Sequence, residues 1–405
     1  MLDIQKIRKD FPILHQKVHG RPLVYFDNGA TTQKPAVVID CLQKIYTSQN
    51  SNVHRGLHFL SGQMTERYEL ARTKVQKYIN ASNWNEIVFT AGTTASINLL
   101  AYSFGETYVH EDDEILISAL EHHSNIVPWQ QLAIRKGAKI KVLPMNDKGE
   151  LILEKVDGFL TSKTKILALN HVSNALGTIN PVKELIQKAH EKEIPVLVDG
   201  AQAVQHEQVD VQDLDCDFYA FSGHKIYGPN GIGVLYGKEK WLEKLPPYQG
   251  GGDMVSNVSF EESTFSELPL KFEAGTANYP DAIAMGEALD YLSSIGLQNI
   301  QEYEKELLKY AQEKLCKIDG FKVFGTAENK ISIISFLLNG IHQSDTGMIL
   351  DKMGVAVRTG THCAQPVMTR FGIDGTVRAS MVFYNTFEEI DLLYDGLMRV
   401  KQMFG

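Results

Sequence analysis

Lys225 closes the run Phe218-Tyr219-Ala220-Phe221-Ser222-Gly223-His224-Lys225, which reads as an apolar strand followed by a turn. An amine held among apolar groups loses basicity and becomes a competent nucleophile toward carbonyl compounds. A solvated surface lysine is the alternative. Upstream, Asp199 ends the run Pro195-Val196-Leu197-Val198-Asp199. A carboxylate at that end of a buried strand could keep a ligand's ring nitrogen protonated, or it could simply cap a helix. Gly92-Thr93-Thr94, after Ile87-Val88-Phe89-Thr90, offers a tight turn, two hydroxyls and the free N–H groups of a helix start. That combination suits phosphate, and an ordinary threonine cap is the competing reading.

Cys363 is flanked by Gly360, Thr361, Ala364 and Pro366, residues of a loop rather than a core. A reactive thiol must be a thiolate, and Arg358 and His362 are expected to supply positive field there. Cys41, Cys216 and Cys316 read as buried structural thiols, and no Cys-x-x-Cys pair signals zinc or a disulfide framework. The pair His122-His123 has no third metal ligand in view, so no metal site is expected.

These groups need a scaffold that brings them together. Short apolar runs recur between amphipathic stretches, the alternation of βα units on a mainly parallel sheet. Strands are expected at 86–90, 114–118, 139–143, 165–170, 195–199, 217–222 and 231–236. Residues 246–278, rich in Gly, Ser and Pro, read as a long irregular connection, and 282–317 as one bridging helix. Beyond it, strands at 331–338, 355–358 and 376–381 alternate with helices at 345–353 and 387–403, giving a smaller α+β region. The division expected is an α/β domain over 21–290 and a small domain made of 1–20 plus 291–405.

With 405 residues the chain exceeds the roughly 250 at which single cores stop growing, in keeping with two domains. A net charge of -9 without a basic cluster disfavours nucleic-acid partners. No apolar run approaches the roughly 18 residues of a membrane span, and the start lacks a signal-peptide pattern, so a cytoplasmic location is the default expectation.

From Phe26-Asp27-Asn28-Gly29-Ala30-Thr31-Thr32 to Tyr384-Asn385-Thr386, with FSGHK at Lys225 and RTGTHCAQP around Cys363, the chain resembles the class V aminotransferase group of pyridoxal-phosphate enzymes. The likeness is greatest to group II cysteine desulfurases of the SufS type. It implies a type I pyridoxal-phosphate fold, like that of aspartate aminotransferase. It implies that Lys225 attaches pyridoxal 5'-phosphate, Asp199 pairs with its ring nitrogen and Gln202 touches its phenolic oxygen. Thr93, Thr94, Ser222 and His224 would hold the phosphate, and His122 would stack on the ring. Asn174, Arg358, Arg378 and His54 would contact the substrate, with Arg378 gripping the carboxylate. The implied reaction converts L-cysteine to L-alanine and leaves sulfur as a persulfide on Cys363.

The resemblance also implies a homodimer in which Thr276 reaches the phosphate of the neighbouring subunit, and a small sulfur acceptor of the SufE or SufU kind that feeds iron-sulfur cluster assembly. His342 is considered for docking, with an exposed surface histidine as the other reading. Two positions depart from the pattern: Thr361 stands where a first histidine of a His-His pair is often found, and Ala277 where a proline is. The alternatives are a selenocysteine lyase, which depends less on the thiol, and another pyridoxal-phosphate reaction of the aminotransferase type.

Overall fold

The computed structural model describes residues 2–404, so Met1 and Gly405, the outermost residues of the small domain expected above, lie outside the described residues. The larger body is built on seven strands: β1 (Ile87–Thr90), β2 (Glu114–Ser118), β3 (Lys139–Leu143), β4 (Thr164–Asn170), β5 (Val196–Asp199), β6 (Phe218–Ser222) and β7 (Gly233–Gly237). Their order across the sheet is β1-β7-β6-β5-β4-β2-β3, parallel except that β7 runs against both neighbours. Strands β2, β5, β6 and β7 are buried at every position, which is why they read as unbroken apolar runs, whereas β3, at one edge, is largely open to solvent.

Helices cover both faces. Ile115 and Ile117 point into one core with Phe104 and Trp129, while Leu116 points into the other with Val198 and Phe221. This is the period of two that a strand buried on both sides must obey. Helix α1 (Phe59–Tyr78) lies against α3 (Tyr279–Ile295), and α2 (Thr93–Tyr108) starts directly after β1.

The smaller body carries an antiparallel sheet of β8 (Phe321–Phe324), β9 (Ile333–Leu338), β10 (Arg358–Gly360) and β11 (Thr376–Ser380), ordered β8-β9-β11-β10. Helices α4 (Leu297–Leu315), α5 (Gln343–Lys352) and α7 (Phe387–Phe404) supply the rest of its core, with a short α6 (Gln365–Phe371) before β11. Val24 and Phe26, expected with the larger body, are buried in this core. The N-terminal segment packs at the junction: Phe11 meets Tyr227 as well as Phe383 and Tyr384.

Several expectations are corrected. The single helix over 282–317 is two, because Gly296 adopts φ +87° between α3 and α4, a conformation that L side chains rarely adopt. The irregular stretch 246–278 contains an exposed hairpin, Val255–Val258 paired with Ser263–Phe265. The strand at 355–358 is split: Val355–Ala356 pairs with Val24–Tyr25, whereas Arg358 already belongs to β10. Strand β8 had no alternation marked enough to reveal it. Cys316 is exposed rather than buried. His342 is exposed, in line with the surface reading, and caps α5, its Nδ1 accepting from the Ser344 N–H at 3.3 Å.

One fully buried cation ties the larger body together. Arg72, on α1, is gripped by Glu273 at 2.6 and 3.0 Å and by Glu69 at 2.9 Å, and it donates to the Ile87 carbonyl. Glu273 also accepts from the Phe89 N–H at 2.7 Å and the Tyr68 hydroxyl at 2.9 Å, so the pair is satisfied on every side. Removing one member leaves an uncompensated buried charge, which costs about 3 to 5 kcal/mol. Arg72→Met is expected to lower the unfolding free energy by about 3 kcal/mol, read from the midpoint of a denaturant titration, whereas the exposed pair Lys139–Asp112 should give a change near zero.

Candidate active site

The carboxyl ends of β1, β2, β4, β5 and β6 open into a cavity of about 250 Å³ that the smaller body roofs. Thr93, Thr94, His122, Asn174, Asp199, Gln202, Ser222, His224 and Lys225 line it from the larger body, and Arg358, Cys363 and Arg378 from the smaller. Two expected residues lie elsewhere in this chain. His54 bonds Glu69 at 2.9 Å, and Thr276 lies in a second hollow of about 220 Å³ with Tyr68 and Glu273.

The Gly92 turn shows how the local chain makes a cradle. Gly92 sits at φ +139°, and a Cβ there would come within 3.3 Å of Ser222 Oγ, so only glycine leaves the floor open. Ser222 Oγ accepts from the Thr93 N–H at 2.8 Å and meets the Thr93 hydroxyl at 2.7 Å. Free N–H groups of the first turn of α2 face the same space, the arrangement that favours an anion.

Lys225 follows β6 in a turn whose His224 carbonyl is held by the Thr31 hydroxyl, the Thr32 N–H and the Lys34 amine at 3.0, 3.1 and 2.9 Å. Burial lowers the Lys225 amine to about 8, Asp199 opposing the shift and Arg378 adding to it. Asp199 itself is raised by burial, with the Ala201 N–H and Lys225 pulling the other way. Burial also drives Glu121, a carboxyl that feels the charge of Asp199, up to about 8, so it is largely protonated at neutral pH.

The histidines are neutral. Burial, reinforced by Lys225, takes His122 down to about 3 and His224 to about 4. The Ser124 N–H donates to His122 Nδ1 at 3.1 Å, which leaves the ring proton on Nε2. His362 is likewise lowered to about 3 by burial and by Arg378. It therefore supplies no positive field to Cys363, contrary to expectation; that field comes from Lys225, Arg358 and Arg378, each of which interacts electrostatically with the thiol.

Cys363 is exposed, and both it and His362 adopt φ +55°. Its loop is pinned to the larger body: the His123 N–H donates to the Cys363 carbonyl at 2.8 Å, and Asn174 Nδ2 to the His362 carbonyl at 2.7 Å. Arg378 is buried, bonded to the Asn174 carbonyl at 2.9 Å and Asp27 at 3.2 Å. Its Nε and the Asn174 Oδ1 are buried without partners, as groups reserved for a ligand would be. Asp27, Ser124 and Asn170 are not singled out by the sequence as site residues, and His123 only as half of a possible metal pair. Asp27 reads as a turn residue before Asn28-Gly29, and its arginine partners are remote in the chain.

The Gly92 cradle with Thr93 and Ser222, the buried Asp199 carboxyl and the partly deprotonated Lys225 amine are of the chemistry that pyridoxal phosphate requires. Among the described residues no group of histidine, cysteine and acidic side chains is arranged to hold a metal ion, and no helix is long and apolar enough to cross a membrane.

Residues 24–393 match the model of the family described as Aminotransferase class-V. The cysteine desulfurase of Cronobacter sakazakii is 47% identical over 403 residues, covering 99% of each chain. That of Synechococcus elongatus is 50% identical over 399 residues, 98% of this chain but 64% of its own length. Among solved structures, the Escherichia coli cysteine desulfurase CsdA superposes with a TM-score of 0.93 at 38% identity, over 100% of this chain and 99% of that one. The chain thus belongs to the class-V aminotransferase family of pyridoxal-phosphate enzymes, among its cysteine desulfurases.

Proposed function

We propose that this chain converts L-cysteine to L-alanine, with the sulfur transferred to Cys363. The observation that carries the proposal is that Lys225 and Cys363, from different bodies of the fold, line one cavity together with Arg378 and Asp199. Bound there, pyridoxal phosphate supplies an electron sink for charge developing at the substrate's α-carbon. Everything else is done by the chain. Arg378 holds the substrate carboxylate through its unpartnered Nε, and Asn174 Oδ1 offers an acceptor beside it. The Lys225 amine, half neutral near pH 8, takes the α-proton. The Cys363 thiolate then attacks the substrate sulfur: a sulfur–sulfur bond forms, the carbon–sulfur bond breaks with its electron pair left on the β-carbon, that carbon takes a proton, and Lys225 returns the α-proton to give alanine. His122, neutral and with its proton on Nε2, would stack on the cofactor ring without adding charge.

The division we adopt places 21–290 with the cofactor and 1–20 plus 291–405 with the Cys363 loop, with the 21–26 stretch shared. A homodimer is part of the proposal. Its support is that Thr276 is exposed and lies outside the first cavity, and that Leu57, Phe59 and Phe260 are large apolar side chains left exposed, so a second copy would bring a Thr276 to the phosphate site. Because the Cys363 loop is short and pinned, a small acceptor protein of the SufE or SufU kind would collect the sulfur for iron-sulfur clusters. A cytoplasmic setting agrees with four cysteines that are all free thiols.

Purified protein given cysteine is expected to yield alanine and one extra sulfur on Cys363, read by mass. Cys363→Ala should lose at least about 100-fold in alanine formation, and Lys225→Ala should lose the visible chromophore and about 10³-fold in rate. Cysteine turnover that survives in Cys363→Ala overturns the persulfide route. The lowered amine makes a separate prediction for cofactor-free enzyme. Only the neutral amine reacts, and it accumulates above its pKa, so labelling of Lys225 by an aldehyde should rise with a midpoint near pH 8. Asp199→Asn removes the anion that favours the ammonium form, and the midpoint should move lower.

A further inference from the structure

The end of the cavity expected to take the cofactor phosphate is formed by Thr93, Thr94, Ser222 and His224. None of these side chains carries a charge, since burial, with Lys225 and Lys34 beside it, keeps the His224 ring neutral. A phosphate ester brings about 1.5 to 2 negative charges at neutral pH. The other titratable groups that line the cavity answer it poorly. His122 and His362 are neutral, and Asp199 and the Cys363 thiol can add only negative charge. Lys225 is the expected point of attachment, and Arg358 and Arg378 come from the smaller body, both bonded to Asp27.

Lys34 lies behind this end of the cavity. Its amine donates to the Thr32 carbonyl at 2.6 Å, the His224 carbonyl at 2.9 Å and the Thr31 hydroxyl at 3.4 Å. Three oxygens match the three N–H groups of an ammonium ion, one more than a neutral amine supplies. Every one of those acceptors is uncharged, and among the described residues no carboxylate pairs with Lys34, so burial takes the amine down to about 7. The groups packed around it leave this unchanged. The Tyr25 hydroxyl donates to the Thr31 carbonyl, the Tyr384 hydroxyl accepts the Gln33 N–H, and the Tyr227 N–H bonds Thr32; burial keeps all three phenols protonated. Arg8 is bonded to the Tyr384 carbonyl and Glu389, and Asp10 to the Tyr291 hydroxyl. His224 joins the two sides: its carbonyl holds the amine, while its ring lines the cavity and feels the charge of that amine.

We propose that Lys34 is the counter-cation of the bound phosphate group, set behind the His224 turn, and that cofactor binding draws a proton onto it. The proposal rests on the reading of this cavity as a pyridoxal-phosphate site. A phosphate dianion stabilises the ammonium form, so the amine holds its proton more tightly with the ligand in place than without it. Binding therefore takes up a proton above about pH 7, where the ligand-free protein has lost it, and the contribution of Lys34 to affinity fades as the pH rises further.

The test uses the full-length chain freed of cofactor and two probes that form no bond to Lys225: pyridoxine 5'-phosphate, and pyridoxine, which lacks the phosphate. Calorimetry in two buffers of different ionisation enthalpy gives both the affinity and the protons taken up. At pH 8 the ester is already a dianion. If binding raises the Lys34 amine by one unit, the parent chain should take up about 0.4 of a proton more with the ester than with pyridoxine. In Lys34→Gln, which keeps a donor for the His224 carbonyl without the charge, that difference should vanish. The variant should bind the ester about fivefold more weakly at pH 7. Its unchanged affinity for pyridoxine would show that the cavity is intact. Lys34→Arg, charged throughout, should keep the affinity for the ester and lose the uptake. A difference in uptake that is missing from the parent, or that persists in Lys34→Gln, overturns the proposal. So does an equal weakening of both probes, which would make Lys34 a support of the turn alone. Failure of the parent enzyme to make alanine would instead defeat the proposed reaction, while the binding of these probes would still report on Lys34.

Discussion

The geometry of the site hangs on one short stretch of chain, residues 26–34, which is bonded to both bodies at once. On one side the Phe26 N–H donates to the Ala356 carbonyl at 2.9 Å, the Ser380 N–H to the Phe26 carbonyl at 2.7 Å, and the Gly29 N–H to Ser380 Oγ at 2.8 Å. On the other, Thr31, Thr32 and Lys34 converge on the His224 carbonyl, and the Tyr227 N–H returns a bond to Thr32 Oγ1 at 2.9 Å. The turn that carries Lys225 and the strand that carries Arg378 are therefore fixed to the two ends of the same few peptide units. Covalent geometry, which hardly stretches, limits how far the backbones that carry the amine and the guanidinium can move apart. Even the Lys34 amine, lowered to about 7 by burial, is held by backbone oxygens there.

Around that frame, burial sorts the ionisable groups. Carboxyl and imidazole groups that could compete for protons are driven to their neutral forms, as Glu121, His122, His224 and His362 are. What stays charged is Arg358, Arg378 and, for the most part at neutral pH, the Lys225 amine, which is lowered only to about 8. In a cavity with little water, each of these charges acts at close range with little screening.

The central strands were legible from the sequence because a strand buried on both faces is apolar at every position, and the chemistry sits where those strands end. Lys225, Asp199 and Thr93 could thus be located without any tertiary information. What stayed hidden depends on partners far away in the chain. Nothing local to Val355–Gly360 announces that its first residues pair with Val24–Tyr25 while Arg358 joins β11. The break at Gly296 sits within a continuous apolar periodicity, and a glycine inside such a pattern is ordinarily tolerated. His362 looked cationic because its neighbours are small and polar; its burial at 6% exposure comes from elements folded over it.

The Cys363 loop carries one more consequence. With two successive residues at φ +55° and its carbonyl tethered to His123, it has little freedom to swing. A thiol that stays put and becomes sulfur-loaded closes the enzyme to its next substrate until some visitor unloads it. In the proposed reaction, throughput would follow how often that visitor arrives, and an idle molecule would be a charged store, holding one reactive sulfur out of free solution.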